Sequence, residues 1–557
     1  MRGGEMTQVD TPPLGSSNGD VVGEHKAKEN AYPASEPLSK SLTLDPIGTG
    51  DGGQQATGGC WQVRYTLAIL ALIGIALMYA MRVILSIAIV AMVGSRSEAS
   101  NKTHAMTNVC PDPKVADAGV SDHLEGEFEW EESIQGVILA SFFWGYSCTN
   151  IVGGRAAEYL GGKLVFGLGI VLSALLTVLT PISARTSTEL LIAARVGEGL
   201  VQGVVFPAIN SMLATWIPPI ERSRYNTIVF SGFPLGTVLS LPVGGWLCSS
   251  HYLGGWPSAF YLFGSLGLIW GVAWFLLVHD RPEKHPRISD EELAHLNAFK
   301  QDTKRAEVVA LPWKDFLMSL PFWGLMLGAL GYDFGFYTFL TELPTYLKNI
   351  QHFDMNENGM MSALPFLVMW LWGYVWGSFM DRLTAAKKVS IIVIRRISMS
   401  LAMYGPMLGL MVMCFVNCNT VLAMVVLCMG VGLAGSANCG FLCSHQDLAP
   451  NFAGTLLGFT NTLGSFAGII APIITGRITD GNQTLSAWRT IFLITVAFYF
   501  VTCTFYIVFI SERTQHWNEP KSYKYEKDFH GCLEAQLSLE SDDSRHKLSK
   551  SNNLEEC

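Results

Sequence analysis

The chain is predicted to be an all-α membrane protein of twelve transmembrane helices in two six-helix halves. Half of its 557 residues are hydrophobic and only 15% are charged, the balance of a polytopic membrane protein rather than of a soluble one. Apolar runs of about 20 residues, enough to cross a hydrocarbon core of roughly 30 Å as helices, recur along the chain. The longest charged interruption falls after the sixth run. The runs are too long and too continuously apolar for the alternating segments of a membrane barrel, which excludes strands.

Residues 1–60 are rich in Gly, Ser, Pro and charge without an apolar core, and read as a disordered cytoplasmic tail. The first six spans, 65–93, 134–152, 164–183, 189–210, 226–248 and 258–278, form an N-terminal bundle over residues 61–278. A charged connection over residues 279–321, "HDRPEKHPRISDEELAHLNAFKQDTKR" within it, divides the chain. The remaining spans, 322–345, 360–380, 389–415, 420–444, 453–476 and 488–510, form a second bundle over residues 322–510. Residues 511–557 return to polar, acidic sequence and read as a solvated tail.

Orientation follows from charge. With both termini cytoplasmic, the inner loops hold Arg155, Lys163, Arg222, Arg224, Arg281, Lys284, Arg287, Arg382, Lys387, Lys388, Arg395 and Arg396, and the outer loops hold far fewer cations. The two glycosylation sequons, at Asn101 and Asn482, both fall on the non-cytoplasmic side. Asn101 is the better acceptor, because its loop is long and Asn482 lies close to a helix end.

The net charge of −9 says little about partners, since nine carboxylates crowd the loop from Glu98 to Glu132. No basic, aromatic-interleaved patch suggests nucleic acid. Cys414/Cys418 and Cys439/Cys443 have i,i+4 spacing, but no set completes a zinc site, and the cysteines read as small membrane-buried residues. No phosphate-cradling loop or nucleophile elbow is present, so no enzyme and no cofactor is expected. His445 with Asp447 reads as a turn and cap in a cytoplasmic loop. A channel would need a ring of like charges or a carbonyl filter, and neither is seen.

Each half carries a similar inner loop. "GGRAAEYLGGK" follows the second span and "GSFMDRLTAAKK" the eighth; a shift of 223 residues places Gly154 on Gly377 and Glu158 on Asp381. With twelve spans divided six and six, this Gly-x-x-x-Asp/Glu-x-x-Gly-x-Lys pattern resembles the major facilitator superfamily. The resemblance implies the major facilitator fold and a cytoplasmic latch built from Gly154, Glu158, Lys163 and Asp381, in which Glu158 meets a helix N-terminus or a neighbouring Arg.

Within the fourth span, "AARVGEGLVQGVVFP" places Arg195, Glu198 and Gln202 at i, i+3 and i+7, on one helical face. An ionised group at the bilayer centre costs at least about 2.5 kcal/mol, so that face must look into the bundle. Gly199 and Gly203 form a small-xxx-small pair for a close neighbour. In the first span, "YAMRVILSIAIV" sets Tyr79, Arg82 and Ser86 on one face, with Arg82 near the midplane. Glu198 is placed to neutralise Arg195, whereas Arg82 has no carboxylate of its own in its half, leaving one surplus positive charge suited to a carboxylate or phosphate. Asp333, midway along the seventh span, has two open roles: pairing with Arg82, or binding a coupling proton or sodium ion.

Several stretches narrow the resemblance to the anion transporters that include sialin, the vesicular glutamate transporters and the sodium-dependent phosphate cotransporters. They include "FEWEESIQGVILASFFWGY", "RVGEGLVQGVVFPA", "WIPPIERSR", "ELPTYLKNI" and "DLAPNFAGTLLGFTNT". The resemblance implies anion binding at Arg82 and Arg195, with Tyr79 and Ser86 beside them, and cation coupling at Glu198, with Asp333 and Gln202 as further candidates. Departures also count. Ile84 and Ala91 replace an amide and a carboxylate, Gln202 replaces a second glutamate, and Leu139 and Tyr332 stand where vesicular glutamate transporters carry histidine and arginine. Glutamate is the least supported cargo, and the pattern is most similar to invertebrate inorganic phosphate cotransporters. The expectation is a monomeric carrier of a small anionic solute, driven by sodium or protons, in the plasma membrane or a lysosomal or vesicular one.

Overall fold

In lipid every backbone N–H and C=O must be satisfied inside its own segment, so the apolar runs fold as helices. The computed structural model describes residues 62–93, 110, 126–250, 254–300, 313–386, 388–449 and 452–518. The N-terminal bundle contains α1 (Val63–Met92), α2 (Glu132–Leu160) and α3 (Gly162–Thr186). Its fourth rod is α4 (Thr188–Gln202) continued by α5 (Val205–Trp216), and its fifth is α6 (Pro219–Phe230) continued by α7 (Gly232–Ser249). The sixth is α8 (Pro257–Leu277).

Between the halves lie α9 (Asp290–Lys300) and α10 (Trp313–Leu317). The second bundle holds α11 (Leu320–Asn349), α12 (Met355–Ala385) and α13 (Ile391–Val416). Its tenth rod is α14 (Thr420–Leu433), a 3-10 stretch at Ala434–Cys439, and α15 (Phe441–Leu448). Last come α16 (Ala453–Thr479) and α17 (Leu485–Phe509).

Ten of these segments are long and apolar enough to cross a membrane by length and composition. The two that fall short are α2, with Glu158 and Arg155 in its last turns, and α11, which carries Asp333, Glu342 and Lys348. Both are shielded by neighbours: α2 packs against α4 and α16, and α11 against α16 and α17.

The two bundles meet most tightly at their outer ends. A methyl group placed on Gly245 of α7 would lie 2.9 Å from Gly359 Cα of α12, and one on Gly359 would lie 2.5 Å from the Leu241 carbonyl oxygen. A methyl on Gly136 of α2 would strike the Pro472 carbonyl of α16, and one on Gly476 would lie 2.5 Å from the Glu132 carbonyl. Glycine at these four positions lets backbone meet backbone across the halves. Gly481 N–H also donates to Glu132 Oε2 at 3.4 Å. A disulfide between Cys110 and Cys418 ties the first outer loop to the turn after α13, so Cys418 is a covalent cross-link rather than a small buried residue. Nearby, Arg185 grips Glu127 through two donors at 2.6 and 3.1 Å, and Trp256 Nε1 donates to the same carboxylate at 3.0 Å. The Arg185 hydrogen bonds hold Glu127 below the usual carboxylate range.

On the cytoplasmic side the connection is not only a solvated loop. Glu292 of α9 is buried and accepts from Arg64 Nε at 3.0 Å and from the Val63 N–H at 3.1 Å, capping α1. Arg64 also donates to Glu221 Oε2 at 2.7 Å. The expected solvated tail likewise begins later than residue 511. Trp517 is buried against Phe316 and Phe452, and the Gln515 N–H donates to the Leu448 carbonyl. Residues 1–60 and Asn101 lie outside the described residues. Asn482 is exposed in the turn before α17, where its side-chain oxygen accepts from Thr484.

Gly359→Val should wedge the outer ends apart. Transport is expected to fall by about tenfold or more at unchanged membrane abundance, measured as uptake per copy of protein; wild-type uptake would show that this contact does not hold the outer side shut.

Candidate functional site

The site is built around α4. Ser187 caps the helix by accepting from the Leu190 N–H at 3.1 Å. Downstream, Arg195, Glu198 and Gln202 are buried at 3%, 1% and 0% exposure. Arg195 Nη1 donates to Glu198 Oε2 at 2.5 Å. The other Glu198 oxygen accepts from Gln202 Nε2 at 3.2 Å, Thr177 at 3.4 Å and Ser173 at 3.5 Å. Gln202 Nε2 also donates to Ser173 Oγ at 2.7 Å, whereas its Oε1 has no partner among the described residues. Gly199 and Gly203 press on α2, where a methyl group would strike the Phe142 carbonyl and Thr149 Oγ1 respectively.

That close approach brings the α2 aromatics to α1. Arg82 lies under the rings of Phe142 and Phe143, each 4.7 Å from its guanidinium carbon, with Tyr146 at 5.1 Å, Tyr337 at 5.2 Å and Tyr79 at 5.4 Å. Aromatic faces stabilise a desolvated cation by roughly 2 kcal/mol at best, without neutralising it. Arg82 Nε and Nη2 are buried with no hydrogen-bond partner among the described residues. Arg195 Nη2 donates to the Arg82 carbonyl at 3.2 Å, tying the two cationic helices together.

Arg82, Ser86, Leu139, Phe142, Arg195 and Thr341 line one small cleft at this point. Ser86 Oγ donates to the Val83 carbonyl at 2.8 Å, so its hydroxyl is engaged on its own helix. Tyr79 packs on Phe233 at 4.3 Å. Of the two open roles for Asp333, pairing with Arg82 is not seen within 4.0 Å. The carboxylate rests instead against Gly464 of α16, where a methyl would strike it. Glu342, higher on α11, is buried and accepts from Thr341 Oγ1 at 3.2 Å.

The latch residues are less closely joined. Gly154 and Glu158 belong to α2, but their side chains lie outside the described residues. Asp280 meets the α3 N-terminus, where it accepts from the Lys163 N–H at 2.8 Å, while Lys163 Nζ donates to the Phe275 carbonyl. Asp381 is exposed on α12. In that half the ion pair is Arg395 Nε with Asp447 Oδ2 at 2.7 Å. His445 is no loop residue: it is buried in α15, with Nε2 2.9 Å from Thr460 Oγ1.

Tyr146, Phe142, Phe143 and Tyr337 are site residues that sequence reasoning missed. The run "SFFWGY" reads as ordinary membrane-buried sequence, and only its i,i+4 pairing of Phe142 with Tyr146 hints at a shared face.

Glu198→Gln should leave Arg195 buried and unpaired, lowering stability by about 3 kcal/mol. Adding Arg195→Gln should recover part of that loss in thermal unfolding of the purified protein, and strictly additive losses would mean the pair is not coupled.

With the geometry in place, comparison with known proteins is informative. The Major Facilitator Superfamily profile matches residues 71–472. Human sialin is 38% identical over 479 residues, covering 86% of this chain and 95% of its own. A Drosophila melanogaster protein named putative inorganic phosphate cotransporter is 36% identical, covering 84% and 88%. Vesicular glutamate transporter 3 of Danio rerio is 31% identical, covering 92% and 85%. Among solved structures, a D-xylose-proton symporter superposes with a TM-score of 0.60 at 12% identity, covering 81% of this chain and 99% of its own. A bacterial homologue of the human lysosomal transporter Spinster gives 0.58 at 16%, covering 82% and 100%. The twelve rods, the two halves and these matches agree: the chain belongs to the Major Facilitator Superfamily, as a multi-pass membrane transporter of the branch that holds sialin, the putative inorganic phosphate cotransporters and the vesicular glutamate transporters.

Proposed function

We propose that the protein is a secondary active transporter of anions that works by alternating access, with inorganic phosphate or a small organic anion as cargo and sodium or protons as the driving ion. The observation that carries this reading is Arg82: a buried guanidinium with two unfilled donor nitrogens and no carboxylate within ion-pair distance among the described residues. Arg195 is already answered by Glu198. An anion entering the cleft would therefore meet a planar donor with unspent hydrogen bonds, in a setting where water competes poorly. Tyr337 comes from the second half and the other rings around Arg82 from the first, so the cationic group sits where the two halves meet. Binding there would bias the rocking of one bundle against the other.

Coupling has two readings. In the first, Asp333 takes the driving cation: it is a carboxylate on the second half without a counter-charge within 4.0 Å. In the second, protonation of Glu198 loosens Arg195 and offers a second guanidinium to the anion. The hydroxyls of Ser173 and Thr177 and the Gln202 amide would then hold the neutral acid. The second reading supports the runner-up function, proton-coupled export of acidic sugars or amino acids from lysosomes or vesicles. The plasma membrane is the first location to test.

Uptake of labelled phosphate and labelled sialic acid into vesicles, under sodium and proton gradients imposed separately, distinguishes these cases. Arg82→Gln should reduce uptake of the transported anion by about a hundredfold while Arg82→Lys retains a measurable fraction; equal uptake by wild type and Arg82→Gln would refute anion binding at this residue. Gln202→Glu should steepen the dependence on an imposed proton gradient if Glu198 is the coupling group. An unchanged pH profile would assign coupling to another residue, Asp333 first.

A further inference from the structure

A second basic site lies far from the central cleft, at the cytoplasmic ends of α2, α3 and α8. There a half-open pocket of about 460 Å³ is lined by Tyr159, Lys163, His279, Asp280, Arg281 and Lys284, among others. Its frame is rigid. Trp216 Nε1 donates to the His279 carbonyl at 3.1 Å, and His285 Nε2 lies 3.1 Å from the Leu277 carbonyl. The 3-10 turn Pro282–Lys284 places Arg281 and Lys284 three residues apart on one side, over the buried ring of Pro282.

Charge in the pocket is unbalanced. Among the described residues Asp280 is the one carboxylate in its lining, and it is engaged by the Lys163 N–H. Lys163 uses one ammonium proton on the Phe275 carbonyl, leaving two donors. The side chains of Arg281 and Lys284 are exposed, with no hydrogen-bond or ion-pair partner among the described residues. Burial, then the neighbouring His285 and Lys163, shift the His279 imidazole below its ordinary value.

Outward from the pocket the surface turns apolar. Leu164, Leu168 and Leu172 on α3 and Ile269, Val272 and Leu276 on α8 are all exposed along the bundle's flank. Tyr159 and Leu160, 84% and 63% exposed, mark the interfacial level at the end of α2. Cations at headgroup depth below a lipid-facing apolar stripe match an amphiphile with a phosphorylated head. A soluble phosphate shares the head chemistry but has no use for the stripe.

We infer that this pocket binds the headgroup of an anionic phospholipid of the inner leaflet, with phosphate oxygens on Arg281, Lys284 and Lys163 and acyl chains along α3 and α8. The test is native mass spectrometry of the full chain in detergent with dioleoyl phosphatidylinositol 4-phosphate or dioleoyl phosphatidylcholine, with and without inorganic phosphate. Wild type should retain the anionic lipid in preference to phosphatidylcholine. Arg281→Gln with Lys284→Gln should weaken that retention by roughly fivefold per cation removed, whereas Arg281→Lys with Lys284→Arg should keep it. Unchanged phosphatidylcholine retention in the Gln variant would show that the protein remains folded. Equal retention of both lipids by wild type, or an unaffected Gln variant, would overturn the proposal. Displacement of the lipid by millimolar inorganic phosphate alone would reassign the pocket to a soluble anion and overturn its lipid part.

Discussion

A guanidinium held near the middle of a membrane protein, without a carboxylate among the described residues in ion-pair contact with it, is the feature around which the site is arranged. Burying Arg82 is unfavourable in any bundle that does not use it, and the bundle compensates only in part. Aromatic faces surround the charge, yet two donor nitrogens, Nε and Nη2, have no partner among the described residues. The neighbouring Arg195 is compensated further in the same environment: a carboxylate one turn away, itself held by hydroxyls and an amide, answers its Nη1, while its Nε has no partner among the described residues. The two arginines are joined through a backbone carbonyl, and of the two it is Arg195 that has a carboxylate within ion-pair distance among the described residues.

The rest of the architecture serves that difference. Gly199 and Gly203 bring α2 against α4, which carries Phe142, Phe143 and Tyr146 to Arg82. Across the interface, Gly468 of α16 leaves room for the Phe143 ring, which in turn packs edge-on to Tyr337 at 4.6 Å. The outer ends of the halves are sealed by glycine-mediated backbone contacts and by the Cys110–Cys418 bridge. The glycines at positions 136, 245, 359 and 476 set backbone against backbone there. On the inner side, Arg64, Glu221 and Glu292 bind the connecting α9 to the first bundle, while Trp517 and Phe316 fasten the beginning of the C-terminal segment to the second. Each half thus carries its own fittings at this end.

Much of this was legible in the sequence, for reasons that are local. Apolar length gives the spans, and 3.6-residue periodicity alone puts Arg195, Glu198 and Gln202 on one face. The ion pair between residues three apart follows from the same geometry. What was not legible depends on helices distant in sequence. The rings over Arg82 come from α1, α2 and α11, and nothing in "SFFWGY" distinguishes a cation cage from ordinary apolar packing. Cys110 and Cys418 are 308 residues apart, so the spacing of Cys418 to Cys414 was misleading. Glu292 stands in a charged stretch beside exposed Asp290 and Glu291, and only the docking of α9 shows that this one is buried. His445 was misplaced for a similar reason: a polar "SHQDL" reads as a loop, yet its histidine turns inward to Thr460.

The central claim is that Arg82 is an unfilled anion site rather than a structural cation. Ligand-induced thermal stabilisation of the purified protein addresses it without assuming any driving ion. Small anions, phosphate and sialic acid among them, should raise the melting temperature of the wild type, neutral polyols of similar size should not, and the anion-dependent rise should vanish in Arg82→Gln. The same rise in Arg82→Gln as in the wild type would contradict the account.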